Sequence, residues 1–137
     1  MSRILIVDDD GETCRFMAEL LGRPDREIRT TQHVSEALTL ARESFDLLIS
    51  DINLDAQQTG MDVLRAFKHA NPQGHVVLIS GFGTLQTAID AVRAGAFDYI
   101  SKPFNITEVK ATVERALTDV GAPPEWRRPR ARARPWL

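Results

Sequence analysis

The sequence predicts an α/β domain, a doubly wound five-stranded parallel sheet with helices on both faces. Two observations carry this. Short apolar runs and stretches of helical period alternate strictly, five times over. Such alternation folds as a parallel sheet, because each right-handed crossover must bury a helix on it. The chain has 137 residues, 43% hydrophobic and 26% charged, the size and composition of one soluble globular domain.

The elements follow in order. Residues 3–7 hold the run ILIV, long enough for a strand buried on both faces, ending at Asp8. Asp10 is placed to cap a helix running to about Leu21, with Cys14, Met17, Leu20 and Leu21 near one face. Gly22-Arg23-Pro24 stops it. Residues 27–31 form a weak, polar strand suited to an edge. A helix over about 35–43 would bury Ala37, Leu38 and Ala41. Residues 47–50 are a second buried run, ending at Asp51. Residues 61–70 read as a helix with Val63, Leu64 and Phe67 inward, closed by Asn71-Pro72. Residues 76–79 are a third buried run, ending at Ser80-Gly81.

Thr84 is placed to cap the next helix, in which Leu85, Ala88, Ile89 and Val92 repeat at helical spacing, and Gly95 ends it. Residues 97–101 make the last strand. Asn105 and Glu108 have capping-box spacing for a helix to about Val120, with Val109, Val113, Ala116, Leu117 and Val120 inward. Gly121 closes that helix, and Ala122-Pro123-Pro124 cannot continue it.

Several classes are excluded. One cysteine, Cys14, permits no internal disulfide, so a reducing cytoplasm is the natural compartment and helix packing the natural role of Cys14. No apolar run approaches the ~20 residues of a membrane span, and the N-terminus lacks the shape of a signal peptide. The net charge of −2 conceals a division. Residues 1–121 carry 12 Lys and Arg against 18 Asp and Glu; residues 122–137 carry five Arg against one Glu. The first stretch is the domain. The second is a basic Arg/Pro/Ala-rich tail with no apolar period, holding Trp126 and Trp136, and reads as disordered. It is either a linker remnant or an electrostatic arm; nucleic acid is not expected as a partner. His33, His69 and His75 are scattered and expected at the surface.

Sites in open α/β sheets lie beyond the carboxyl ends of the strands, where strand order reverses. With strands ordered 2-1-3-4-5, the flavodoxin-like arrangement, Asp8 and Asp9 of strand one meet Asp51 of strand three. At ~4 Å and an effective dielectric of ~20, each pair of carboxylates repels by roughly 4 kcal/mol. Cations among them relieve this: a hard divalent ion such as Mg²⁺, and Lys102 from the end of strand five. The set suits a phosphoryl group, with the cations on its oxygens, Ser80 adding a hydroxyl and one carboxylate attacking. Taken singly, the residues have plainer readings: Asp8, Asp9 and Asp10 as a solvated strand end with a cap, Ser80 as a loop hydroxyl, and Tyr99 as a half-buried sheet residue. No phosphate-binding glycine loop is present.

VDDD after the first strand, ISD closing the third, ISG closing the fourth and AFDYISKPF at the fifth together resemble the response-regulator receiver domain of bacterial two-component systems. The resemblance spans about residues 3–120. The stretch GFGTLQTAIDAVRAGAFDYISKPF is most similar to receivers of the nitrogen-regulator class, which usually precede an ATPase and a DNA-binding domain.

The resemblance implies that Asp51 is the phosphoacceptor. It implies that Asp9 ligates Mg²⁺ directly and Asp8 through water, with the backbone carbonyl of Asn53 completing the protein ligands. Lys102 contacts the phosphoryl group, and its bond to Pro103 is cis. Ser80 and Tyr99 are the hydroxyl and aromatic switches. Gly81 leaves the phosphate accessible, and Asn53 and Phe82 lie at positions that tune dephosphorylation. The implied partner is a histidine kinase or phosphotransfer protein, with output through a downstream protein or an output domain. The only catalysis is the domain's own phosphorylation and dephosphorylation. One departure stands out: Asp55 occupies the place of a usual Pro, and Gly60 lies nine residues after Asp51 rather than eight.

Two other classes compete. One is a receiver-like interaction module that does not cycle phosphate. The other is a flavin-binding or phosphatase α/β domain. A flavin site wants a Ser/Thr/Gly-rich loop after strand one; an aspartyl-phosphate phosphatase wants its nucleophile there, in a DxD pattern, plus a cap domain.

Overall fold

The computed structural model describes residues 1–54, 59–81 and 85–119. Strands and helices alternate as β1 (Ser2–Val7), α1 (Gly11–Leu21), β2 (Arg26–Thr31), α2 (Val34–Leu40), β3 (Leu47–Asp51), α3 (Gly60–Ala70), β4 (His75–Ser80), α4 (Leu85–Arg93), β5 (Asp98–Ser101) and α5 (Ile106–Thr118). All pairings are parallel and the order is β2-β1-β3-β4-β5, as the alternation predicts.

The apolar runs look uninterrupted because both faces are buried. In β1, Leu5 and Val7 point to a core shared with Ala37, Leu40, Val63, Leu64 and Phe67. Ile4 and Ile6 point the other way, to Met17, Leu21, Val109, Val113 and Ala116. The sheet is thus covered by α2, α3 and α4 on one face and by α1 and α5 on the other. The edge strand β2 is polar and part-exposed, which discourages pairing with a second chain.

Two helices depart from expectation. Helix α2 begins at Val34 and ends at Leu40, not at 43, and buries Val34, Ala37 and Leu40 rather than Leu38. The buried Asn71 stops it: its carboxamide donates to the carbonyls of Ala41 and Glu43 and accepts from Phe45 N–H. Those groups are drawn out of the helical ladder. In α4 the buried residues are Ala88 and Ala91, while Ile89 and Val92 are half-exposed. The small side chains allow close approach to the sheet and leave the larger ones at the flanks.

His75, expected at the surface, is buried at the start of the central strand β4. Its ring lies 4.7 Å from that of Phe97, and Nε2–H donates to the Asp119 carbonyl at 2.7 Å. His33 and His69 are exposed.

The predicted caps are mostly in place. Asp10 accepts from Glu12 N–H and Asn105 from Glu108 N–H. The reciprocal box expected on α5 occurs instead on α3, between Thr59 and Asp62. Gly95 has a φ of 103°, which only glycine adopts readily. The Thr84 cap, Phe82, the side chain of Leu85, Val120, Gly121 and the tail lie outside the described residues.

Candidate functional site

Four strands deliver their last residues to one end of the sheet. Asp8 follows β1, Asp51 and Ser80 close β3 and β4, and Lys102 follows β5. Strand register aligns them, with Val7 opposite Ser50, Asp51 opposite Ile79 and Ser80 opposite Ser101.

Lys102 Nζ sits between Asp8 Oδ2 and Asp51 Oδ2, at 3.0 Å from each. The remaining oxygens are also bonded: Asp8 Oδ1 accepts from Asp10 N–H at 2.9 Å and Asp51 Oδ1 from Asn53 N–H at 3.0 Å. Asp8 and Asp51 are buried and Asp9 is exposed. One carboxylate oxygen from each of Asp8, Asp9 and Asp51 falls within 4.8 Å of the others.

Among the described residues the charge of this cluster is unbalanced, three carboxylates against one ammonium. The Asp9 carboxyl pKa is accordingly raised, first by partial burial and then by the charges of Asp8 and Asp51. For Lys102 burial acts most strongly and pulls its pKa down, but hydrogen bonds to Asp51 and Asp8 outweigh it and the net direction is up. Three hard oxygen donors in mutual repulsion are a fitting donor set for a divalent cation such as Mg²⁺.

The buried Ser80 Oγ accepts a 3.0 Å hydrogen bond from Asn53 Nδ2. Sequence reasoning gave Asn53 a carbonyl ligand role and a position that tunes dephosphorylation, and missed this contact of its side chain with Ser80. Tyr99 is half-buried against the α2–α4 core, opposite Leu78 in the sheet. Its hydroxyl is shielded from solvent and has no hydrogen-bond partner among the described residues, a condition that costs about 1–3 kcal/mol. Cys14 packs as expected, its Sγ–H donating to the Asp8 carbonyl at 3.4 Å, and burial pushes its thiol pKa up. The Lys102–Pro103 bond is cis, as expected.

Gly60 N–H donates to the Ile52 carbonyl at 2.8 Å, and a Cβ on Gly60 would lie 2.2 Å from the Asp51 carbonyl oxygen. Only glycine fits so close to the backbone of β3; residues 55–58 lie outside the described set. Among the described residues a Cβ on Gly81 would meet Lys102 carbons at 3.9 Å and nothing closer.

A family model for the response regulator receiver domain matches residues 4–114. The response regulator protein PilR of Pseudomonas aeruginosa is 37% identical over 116 residues, 84% of this chain and 26% of that protein. The nitrogen assimilation regulatory protein NtrX of Azorhizobium caulinodans is 36% identical over 116 residues, 83% of this chain and 26% of that protein. A crystal structure of a response regulator protein from Burkholderia pseudomallei, with a phosphorylated aspartic acid, calcium ion and citrate, superposes with a TM-score of 0.75 at 25% identity. The match covers 94% of this chain and 76% of that one.

The chain belongs to the response-regulator receiver-domain family of two-component systems, and its relatives are of the nitrogen-regulator type. It spans about a quarter of the length of the curated relatives it matches. Among the described residues no helix is long and apolar enough to cross a membrane.

Proposed function

We propose that residues 1–121 form a receiver that takes a phosphoryl group from a histidine kinase or phosphotransfer protein onto Asp51. One observation carries this reading: Asp8, Asp9 and Asp51 converge within 4.8 Å while Lys102 bridges two of them. That leaves one end of the sheet short of positive charge and built from oxygen donors. The phosphorylated aspartate in the Burkholderia structure supports it by likeness.

In the transfer, an Asp51 carboxylate oxygen bonds to phosphorus as the phosphorus–nitrogen bond of the donor phosphohistidine breaks and the imidazole leaves. Asp51 is held for this by Asn53 N–H and Lys102. Lys102 keeps its proton, because its hydrogen bonds to Asp51 and Asp8 raise its pKa despite burial, and it can follow the transferred charge. Mg²⁺ held by Asp8, Asp9, Asp51 and the Asn53 carbonyl would offset both their mutual repulsion and the charge of the incoming group.

Ser80, drawn toward the phosphoryl group, makes room for Tyr99. The Tyr99 hydroxyl, without a partner among the described residues, gives that ring a reason to exchange one packing for another, altering the face of α4, β5 and α5. The reaction is the domain's own phosphorylation and its reversal; output passes to a downstream protein or an output domain. A cytoplasmic location suits such a partner. The alternative, a module that does not cycle phosphate, rests on the altered loop after Asn53; the acidic, basic and hydroxyl residues that are in place favour phosphate transfer.

The test is Mg²⁺-dependent labelling by a small acyl phosphate. Wild type gains a base-labile phosphate and Asp51→Asn gains none. Equal labelling of Asp51→Asn overturns the assignment.

A further inference from the structure

The lysines of the chain are Lys68, Lys102 and Lys110, and each has a different setting. Lys102 is held between Asp8 and Asp51. Lys110 is exposed on α5. Lys68, near the end of α3, is half-buried and pairs with no carboxylate among the described residues. Its Nζ donates instead to two carbonyls, Gly74 at 2.8 Å and Pro72 at 3.0 Å. The Gly74 bond is part-buried, and the Pro72 bond is open to solvent.

An ammonium has three protons to place, a neutral amine two. The two carbonyls match the donors of the amine, whose lone pair then points away from both. Burial lowers the Lys68 pKa, and no carboxylate restores it; at Lys102 two carboxylates do. A lysine that is partly desolvated and lacks an anion is the kind that serves as a nucleophile. We infer that Lys68 is an acylation site, whose Nζ takes the acyl group of a small acyl phosphate. The amine attacks the acyl carbon. A nitrogen–carbon bond forms, the carbon–oxygen bond to phosphate breaks, and phosphate leaves with that electron pair and takes up the proton released by nitrogen. The phosphorus of the same reagent is the separate electrophile that Asp51 attacks in the reading above, so the inference does not depend on that reading. The amide product keeps one N–H for two carbonyls. Acylation therefore frees Pro72 or Gly74 and loosens the turn that leads into β4.

The experiment incubates the full chain with acetyl phosphate at pH 7 without Mg²⁺ and maps acetyl groups over time by peptide mass spectrometry. Lys68 should be acetylated at least about threefold faster than the exposed Lys110, with a lead that shrinks as pH rises into the usual lysine range. Lys102 should lag both. The same order should hold in Asp51→Asn, which separates acylation from phosphoacceptance. Thermal unfolding of the chain acetylated at Lys68 should shift down by about 4 °C, the loss of one hydrogen bond. The same treatment should leave the melting of Lys68→Arg unchanged, since that side chain keeps its donors and is not acetylated. Lys110 acetylated as fast as Lys68, a lead that does not change with pH, or a chain acetylated at Lys68 that melts with the unmodified protein overturns the inference.

Discussion

The two ends of the sheet use similar side chains in opposite ways. At the amino end, Arg3 is held by Glu27 and Glu43 and stacks 4.3 Å over the Phe45 ring. Lys68 donates to the Pro72 and Gly74 carbonyls, Asn71 makes three bonds to backbone groups, and His75 reaches the Asp119 carbonyl. Each of these polar groups finds an opposite charge or a backbone partner, as buried polarity must to be stable. At the carboxyl end, Asp8, Asp9 and Asp51 share one Lys102, and Tyr99 keeps an unpartnered hydroxyl nearby in the sheet. The contrast separates polar groups whose charges and hydrogen bonds are balanced within the chain from a cluster that, among the described residues, carries more negative than positive charge.

The comparison breaks most sharply at Lys102. Lys102→Met leaves buried Asp8 and Asp51 without their counter-charge, and urea unfolding at pH 7 should show a loss of about 3 kcal/mol. Because the folded pKa of Lys102 is raised, the stability it adds is fully present below the usual lysine range. It disappears as pH rises through the folded value. A loss under 1 kcal/mol at pH 7 would mean the carboxylates do not depend on Lys102.

At the other end, Asn71→Ala strips partners from Phe45 N–H and from the Ala41 and Glu43 carbonyls, and should cost about 2 kcal/mol in the same assay. Mg²⁺ affinity should not change, since the residue belongs to the matched end. A weakened metal affinity would dissolve the distinction between the ends.

Asp9→Ala should have the opposite sign. Removing an exposed but crowded carboxylate relieves repulsion, worth up to about 1 kcal/mol after solvent screening, while Mg²⁺ binding is lost. The Asp9 pKa is raised in the fold, so wild type bears this penalty above that pKa and sheds it as pH falls. The advantage of Asp9→Ala should therefore shrink in acid. A less stable apo variant at pH 7 would contradict the charge argument.

Smallest is Tyr99→Phe, which deletes a buried hydroxyl that has no partner among the described residues. Thermal unfolding should show unchanged stability or a gain of up to about 1 kcal/mol. A clear loss would reveal a bond to that oxygen.

Much of this contrast could be read in the chain. Asp8, Asp51, Ser80 and Lys102 each end a recognisable strand, and parallel topology brings strand ends together, so local pattern plus one topological rule assembled the site. What escaped depends on partners distant in sequence. The end of α2 is set by Asn71, 28 residues beyond Glu43. His75 is buried because β4 is central and Phe97 lies against it. The inward face of α4 follows Ala88 and Ala91, because close approach favours small residues over the most apolar ones. The bond between Asn53 and Ser80 joins a loop to a strand end, a meeting no periodicity encodes.

The most direct measurement is an amide NMR titration of the wild-type chain, first with Mg²⁺ and then with an acyl phosphate. Mg²⁺ should move the amides of Asp8, Asp9, Asp51 and Asn53 and leave those of Asn71 and His75 in place. The acyl phosphate should then shift Asp51 and Ser80 further and carry the change to Tyr99 and α4. Shifts that centre on Asn71 and His75, or a carboxyl end that responds to neither addition, would contradict the account.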